Sequence, residues 1–111
     1  MHDAPAHIAF LGDAERTFAL PVPMIVALEK ATGHGIGTLA ARLFQGVFSW
    51  ADLVETIRLG LIGGGTDPKD AAGIIDAWVN NRPIAETLPL TVAVLETCYF
   101  GAPQEVASDG A

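Results

Sequence analysis

The stretch Ser49-Trp50-Ala51-Asp52-Leu53-Val54-Glu55-Thr56-Ile57-Arg58-Leu59-Gly60-Leu61-Ile62-Gly63-Gly64-Gly65 decides the fold class. Ser49 carries a helix N-cap side chain, and Asp52 three residues on puts a carboxylate where the helix dipole favours it. Trp50, Leu53, Val54, Ile57 and Leu61 recur at helical spacing, which makes one face apolar. Gly63-Gly64-Gly65 breaks the run. An amphipathic helix cannot bury its stripe alone, so its neighbours must supply matching faces.

Outward from this helix, the same pattern repeats. On the C-terminal side, Thr66-Asp67-Pro68 is a helix start, with a capping side chain followed by Pro in the first turn. Ala71, Ile74, Ile75, Trp78 and Val79 form its stripe, and Asn80-Asn81 ends it. A last helix carries Ile84, Leu88, Val92, Leu95 and Tyr99. Pro89 lies within that stripe and predicts a kink or a late start, with a short turn before it and a continuous helix from about Leu90. On the N-terminal side, Ile36, Leu39, Ala40, Leu43 and Phe44 give the i, i+3, i+4, i+7, i+8 pattern of a helix ending at Gly46. Before it, Pro23 opens a helix to about Ala31 with Met24, Ile25 and Leu28 inward, and Thr32-Gly33 stops it.

The first segment differs. His7–Leu11 and Arg16–Leu20 alternate in polarity around a four-residue turn, Gly12-Asp13-Ala14-Glu15, and read as a β-hairpin. Ile8 and Phe10 share one face, as do Phe18 and Leu20. Two strands alone are marginal in water, so this apolar face is expected to lie on the helices. The expectation is a mainly α (α+β) chain: an N-terminal β-hairpin packed on about five helices. It forms a single domain over residues 1–103, followed by a flexible acidic tail at 104–111.

Composition excludes several classes. The chain has 111 residues and a net charge of -7, with six Lys and Arg against thirteen Asp and Glu. This balance repels phosphate backbones and anionic membranes, and the basic residues are scattered singly. A helix-turn-helix DNA reader has no basic recognition helix here. One cysteine, Cys98, leaves no disulfide within the chain. The N-terminus has no secretory pattern, and apolar runs are too short to span a bilayer. A reducing bacterial cytoplasm is the expected compartment.

Motifs with possible chemistry each meet a structural alternative. Gly63-Gly64-Gly65 before a helix could cradle a phosphate, but it follows a helix and lacks the Gly-Lys-Ser/Thr ending of a P-loop. Gly33-His34-Gly35-Ile36-Gly37 fails the dinucleotide spacing and reads as a turn between helices. His2, His7 and His34 have no metal-site spacing. Cys98, with His34 or His7 as base, could be a nucleophile, but beside Tyr99 and Phe100 it reads as a core thiol. Asp52 and Glu55 could be an acid/base pair, but capping explains Asp52, and Arg58 at i+3 explains Glu55. Asp67, Asp70 and Asp76 fit helix starts and solvent faces. Trp50 and Trp78 are expected in the core. Phe44 and Phe48 flank Gly46 at a helix end, and one of them is expected to be exposed as a contact point. No catalytic, cofactor or metal residue is assigned.

One ordered pattern goes further. Phe18-Ala19-Leu20-Pro21-Val22-Pro23 leads into Ala27-Leu28-Glu29. Then come Thr32-Gly33-His34-Gly35-Ile36-Gly37-Thr38-Leu39, Arg42-Leu43, Ala51-Asp52-Leu53, Ile57-Arg58 and Gly60-Leu61-Ile62-Gly63-Gly64-Gly65. Over roughly residues 8–101 this order resembles the small tail proteins of bacterial gene transfer agents and related prophages, described both as tail tube proteins and as tail assembly chaperones. The resemblance implies a non-enzymatic protein that helps build a non-contractile tail. A chaperone of that kind would bind the tape-measure protein or the tail tube protein and keep it soluble. The alternatives are a structural subunit retained in the particle, whose hairpin pairs with a neighbouring copy, and a small ligand- or phosphate-binding domain using Gly63–Gly65.

Overall fold

The computed structural model describes residues 4–102. Pro103 and the acidic tail expected at 104–111 lie outside the described residues, as do Met1, His2 and Asp3. Strands β1 (Ala6–Leu11) and β2 (Ala14–Ala19) are followed by α1 (Val22–Thr32), α2 (Ile36–Phe44), α3 (Trp50–Gly63), α4 (Pro68–Trp78) and α5 (Ile84–Phe100). The antiparallel hairpin packed against five helices matches the expected class.

Helix α3 is the centre. Leu53, Ile57, Leu59 and Leu61 are buried, and Asp52, Thr56 and Gly60 are buried with them. It packs against α1, α4, α5 and β2. Thr56 enters the core because its Oγ1 donates to the Asp52 carbonyl at 2.7 Å, which satisfies the hydroxyl within the helix. The rest of the core is Leu11, Phe18 and Leu20 from the hairpin, Leu28 of α1, Leu39 and Leu43 of α2, Ala71 and Ile75 of α4, Val79 just after it, and Val94 and Leu95 of α5.

Four expectations are corrected. The hairpin turn is Gly12-Asp13, not four residues, because Leu11 pairs with Ala14. Gly12 sits at φ 68°, a conformation glycine enters without steric cost at the first central position of a tight hairpin turn. Ile8 and Phe10 do not face the helices: they are 60% and 71% exposed on the outer face of β1. The inward positions of β1 are His7, Ala9 and Leu11, opposite Phe18, Arg16 and Ala14.

Of these three, Leu11 is buried in the core, and His7 and Ala9 are half-buried. The third correction concerns Pro89. Helix α5 begins at Ile84 and runs through Pro89 without a break. Pro89 and Ala85 both lie on the solvent side, so the Ala85 carbonyl that loses its N–H partner is open to water. Fourth, the buried stripe of α5 is Thr87, Thr91, Val94, Leu95 and Thr97, while Ile84 and Tyr99 are exposed. Thr91 Oγ1 donates to the Thr87 carbonyl at 3.1 Å, which lets a threonine replace an aliphatic residue in the stripe.

Candidate functional site

The polar motifs resolve into capping and packing. Asp52 is fully buried and closes a capping box: the Ser49 N–H donates to its Oδ2 at 2.9 Å, and the Asp52 N–H donates to Ser49 Oγ at 3.1 Å. Arg42 of α2 donates to the same Oδ2 at 2.9 Å, which ties two helices together. Burial alone raises the Asp52 carboxyl, but the Ser49 backbone, the Arg42 side chain and the Ser49 hydroxyl outweigh it and hold it below its ordinary value. Glu55 pairs with Arg58 on the same helix, with Nη2 to Oε1 at 2.6 Å. Capping and pairing thus account for both carboxylates, with Asp52 Oδ1 alone buried without a hydrogen-bond partner.

The two glycine motifs are also structural. The N–H groups of Gly64, Gly65 and Thr66 donate to carbonyls of Gly60, Leu61 and Ile62, so they close the end of α3. Gly63 and Gly64 lie against β2: a Cβ on Gly63 would overlap the Ala19 carbonyl oxygen, and one on Gly64 the Thr17 carbonyl oxygen. The cleft beside the loop, about 820 Å³, is lined by Asp13, Asp67 and Asp70 against Arg16 and Lys69, and Arg16 already pairs with Asp13. Such a lining does not favour a phosphate. At the other motif, the Glu29 carboxylate reaches across Gly33-His34-Gly35 and accepts the Ile36 N–H at 2.8 Å, capping α2 from α1.

His7 lies on β1 and His34 in the α1–α2 turn, and His2 lies outside the described residues. Among the described residues, no group of three or more His, Cys, Asp or Glu could hold a metal. Cys98 is half-buried in an apolar cavity of about 360 Å³ with Leu20, Pro21, Val22 and Ile25, and burial pushes its thiol up. Neither histidine lines that cavity. No helix among the described residues is long and apolar enough to cross a membrane.

The aromatic residues divide differently from expectation. Trp78 is half-buried over the hairpin turn, where a Cβ on Gly12 would overlap its ring. Trp50 is exposed, a correction: as the first residue of α3 it precedes the buried turn instead of belonging to it. Phe48 packs on the core, whereas Phe44 is exposed. Phe44 meets two rings from the end of α5, edge-on to Tyr99 and stacked with Phe100, both at 6.4 Å between centroids. Tyr99 and Phe100 lie 4.8 Å apart. They are 60% and 73% exposed. With Gly37, Ala40 and Ala41, the three rings line a cavity of about 260 Å³ that has no charged residue in its wall.

This cluster is the candidate site. Phe44 was identifiable from its place beside Gly46. Tyr99 and Phe100 were not, because Tyr99 fits a helical stripe by spacing. The signal was the sequence Cys98-Tyr99-Phe100 itself: three apolar neighbours span 200° of a helix, and a single buried face cannot take them all.

The sequence model of a family described as phage tail tube protein, GTA-gp10, matches residues 4–101. The chain belongs to this family. The match spans both strands and all five helices, so the aromatic cluster lies within the family domain. The chain is a phage tail-related protein. No curated protein and no solved structure matches it.

Proposed function

We propose that this GTA-gp10 family chain is a non-enzymatic tail assembly chaperone that binds the tape-measure protein or the tail tube protein in the bacterial cytoplasm. The exposed cluster of Phe44, Tyr99 and Phe100 carries the reading. Three large rings held at the surface, around a cavity floored by glycine and alanine, suit an apolar stripe on a partner helix. A tape-measure helix offers such stripes and aggregates when they are bare. The net charge of -7 keeps the complex dispersed.

The test is co-expression of the tagged chain with the neighbouring tail genes. Tape-measure or tube protein should co-purify, and Tyr99→Ser and Phe100→Ser should each reduce its recovery at least tenfold without lowering the melting temperature. Mature particles should lack the chain. Its presence there at a fixed ratio to tube protein would make it a structural subunit, the reading favoured by the family's description as tail tube protein. The limited sheet, two six-residue strands among the described residues, favours the chaperone.

A further inference from the structure

Strand β1 has a free edge and an exposed apolar face at the same place. In a two-residue hairpin the residues flanking the turn form a hydrogen-bonded pair, and such pairs alternate along the ladder. Leu11–Ala14, Ala9–Arg16 and His7–Phe18 are therefore the bonded pairs. The N–H and C=O groups of Ile8 and Phe10 point away from β2. Among the described residues, no hydrogen bond reaches them from another element. The opposite edge of the hairpin is covered, because Gly63 and Gly64 lie on the Thr17 and Ala19 carbonyls.

Edge strands are ordinarily guarded by lysine, proline or a bulge. The β1 sequence, Ala6-His7-Ile8-Ala9-Phe10-Leu11, has no Lys, no Pro and no carboxylate. It also has no bulge, since its register with β2 is unbroken. In a chain of net charge -7, β1 itself brings no carboxylate to the approach of a like-charged copy; the nearest are Glu15, beside Phe10 on the outer face, and Glu96, beside His7.

We propose that β1 is a self-docking edge, to which a second copy of this chain adds its own β1 antiparallel about a two-fold axis at Ala9. In that register Ile8 lies opposite the partner subunit's Phe10, and Phe10 opposite the partner subunit's Ile8. Both are positions whose N–H and C=O groups point outward, so each pair exchanges two ladder bonds. The two aromatic–aliphatic pairs share the outer face and cover the four most exposed apolar side chains of the joined sheet. Ala9 and the partner subunit's Ala9 form the non-bonded pair between them, with Cα atoms about 4.5 Å apart. The area buried is small, so the dimer is weak and reversible.

Sedimentation of the full chain over a concentration series tests this independently of the tail partner. A monomer–dimer equilibrium is expected, weakened at least tenfold by Phe10→Lys with unchanged circular dichroism and melting temperature. Ala9→Cys in a Cys98→Ala background should oxidise to a disulfide-linked dimer, and Thr17→Cys in that background should not. A wild-type chain that stays monomeric at hundreds of micromolar overturns the proposal. So does a dimer indifferent to Phe10→Lys, or one lost on Phe100→Ser, which would seat the second copy on the aromatic cluster. Absence of the Ala9→Cys cross-link in a dimer that Phe10→Lys disrupts overturns the edge register.

Discussion

Asp52 shows how one residue acts at two levels of structure. Its carboxylate caps α3 and holds Arg42 of α2. Its removal uncaps α3 and frees the partly exposed Arg42, so Asp52→Ala is expected to cost about 2 kcal/mol in urea unfolding. Because the folded carboxyl lies below its ordinary value of 3.8, the unfolded chain takes up this proton first as pH falls. The contribution is complete above that value and is lost as pH drops through the folded one. Asp52→Asn should therefore flatten the acid side of the stability–pH curve below about pH 4. Glycines make the opposite point, that identical residues have opposite sensitivities. Gly64→Ala drives a methyl into the Thr17 carbonyl and should lose about 2 kcal/mol or more. Gly73→Ala, in α4 with open space around it, should gain up to about 1 kcal/mol. Thermal unfolding of the two variants side by side checks both signs.

Among the elements, the helix starts were the most legible. Ser49 with Asp52, and Asp67 with Pro68, are local chemistry, and local chemistry is written in adjacent residues. The faces of α5 and β1 were not, because burial depends on what lies opposite. Thr87 and Thr91 took inward positions that an aliphatic count assigns to Leu88 and Val92. Ile8 and Phe10 alternate correctly for a strand, but alternation does not say which side meets the helices. Pro89 tests the account of α5. Pro89→Ala restores a donor to the Ala85 carbonyl, and should stabilise the chain by about 1 kcal/mol, read as a higher melting temperature.

For the whole molecule, the hairpin-and-five-helix arrangement followed from pattern, while the surface did not. A sequence lists its apolar residues without stating how many the core can hold. Leu53, Ile57 and Leu61 filled it from α3, and Phe44, Tyr99 and Phe100 remained outside. That surplus is what a binding surface is made from, and only the assembled fold reveals it. Charge acts at this scale too. Two copies each carrying -7 repel, so raising the ionic strength should strengthen the self-association of β1, measured by sedimentation in a salt series.

The packing of Gly63 and Gly64 on β2 also sets a limit on growth. A sheet open on both sides can recruit strands without end, which is the route to fibrils. Among the described residues this hairpin has a valence of one: whatever joins β1 uses up the place for another strand, and the assembly terminates. The chain thus keeps a sticky strand without becoming a seed for amyloid.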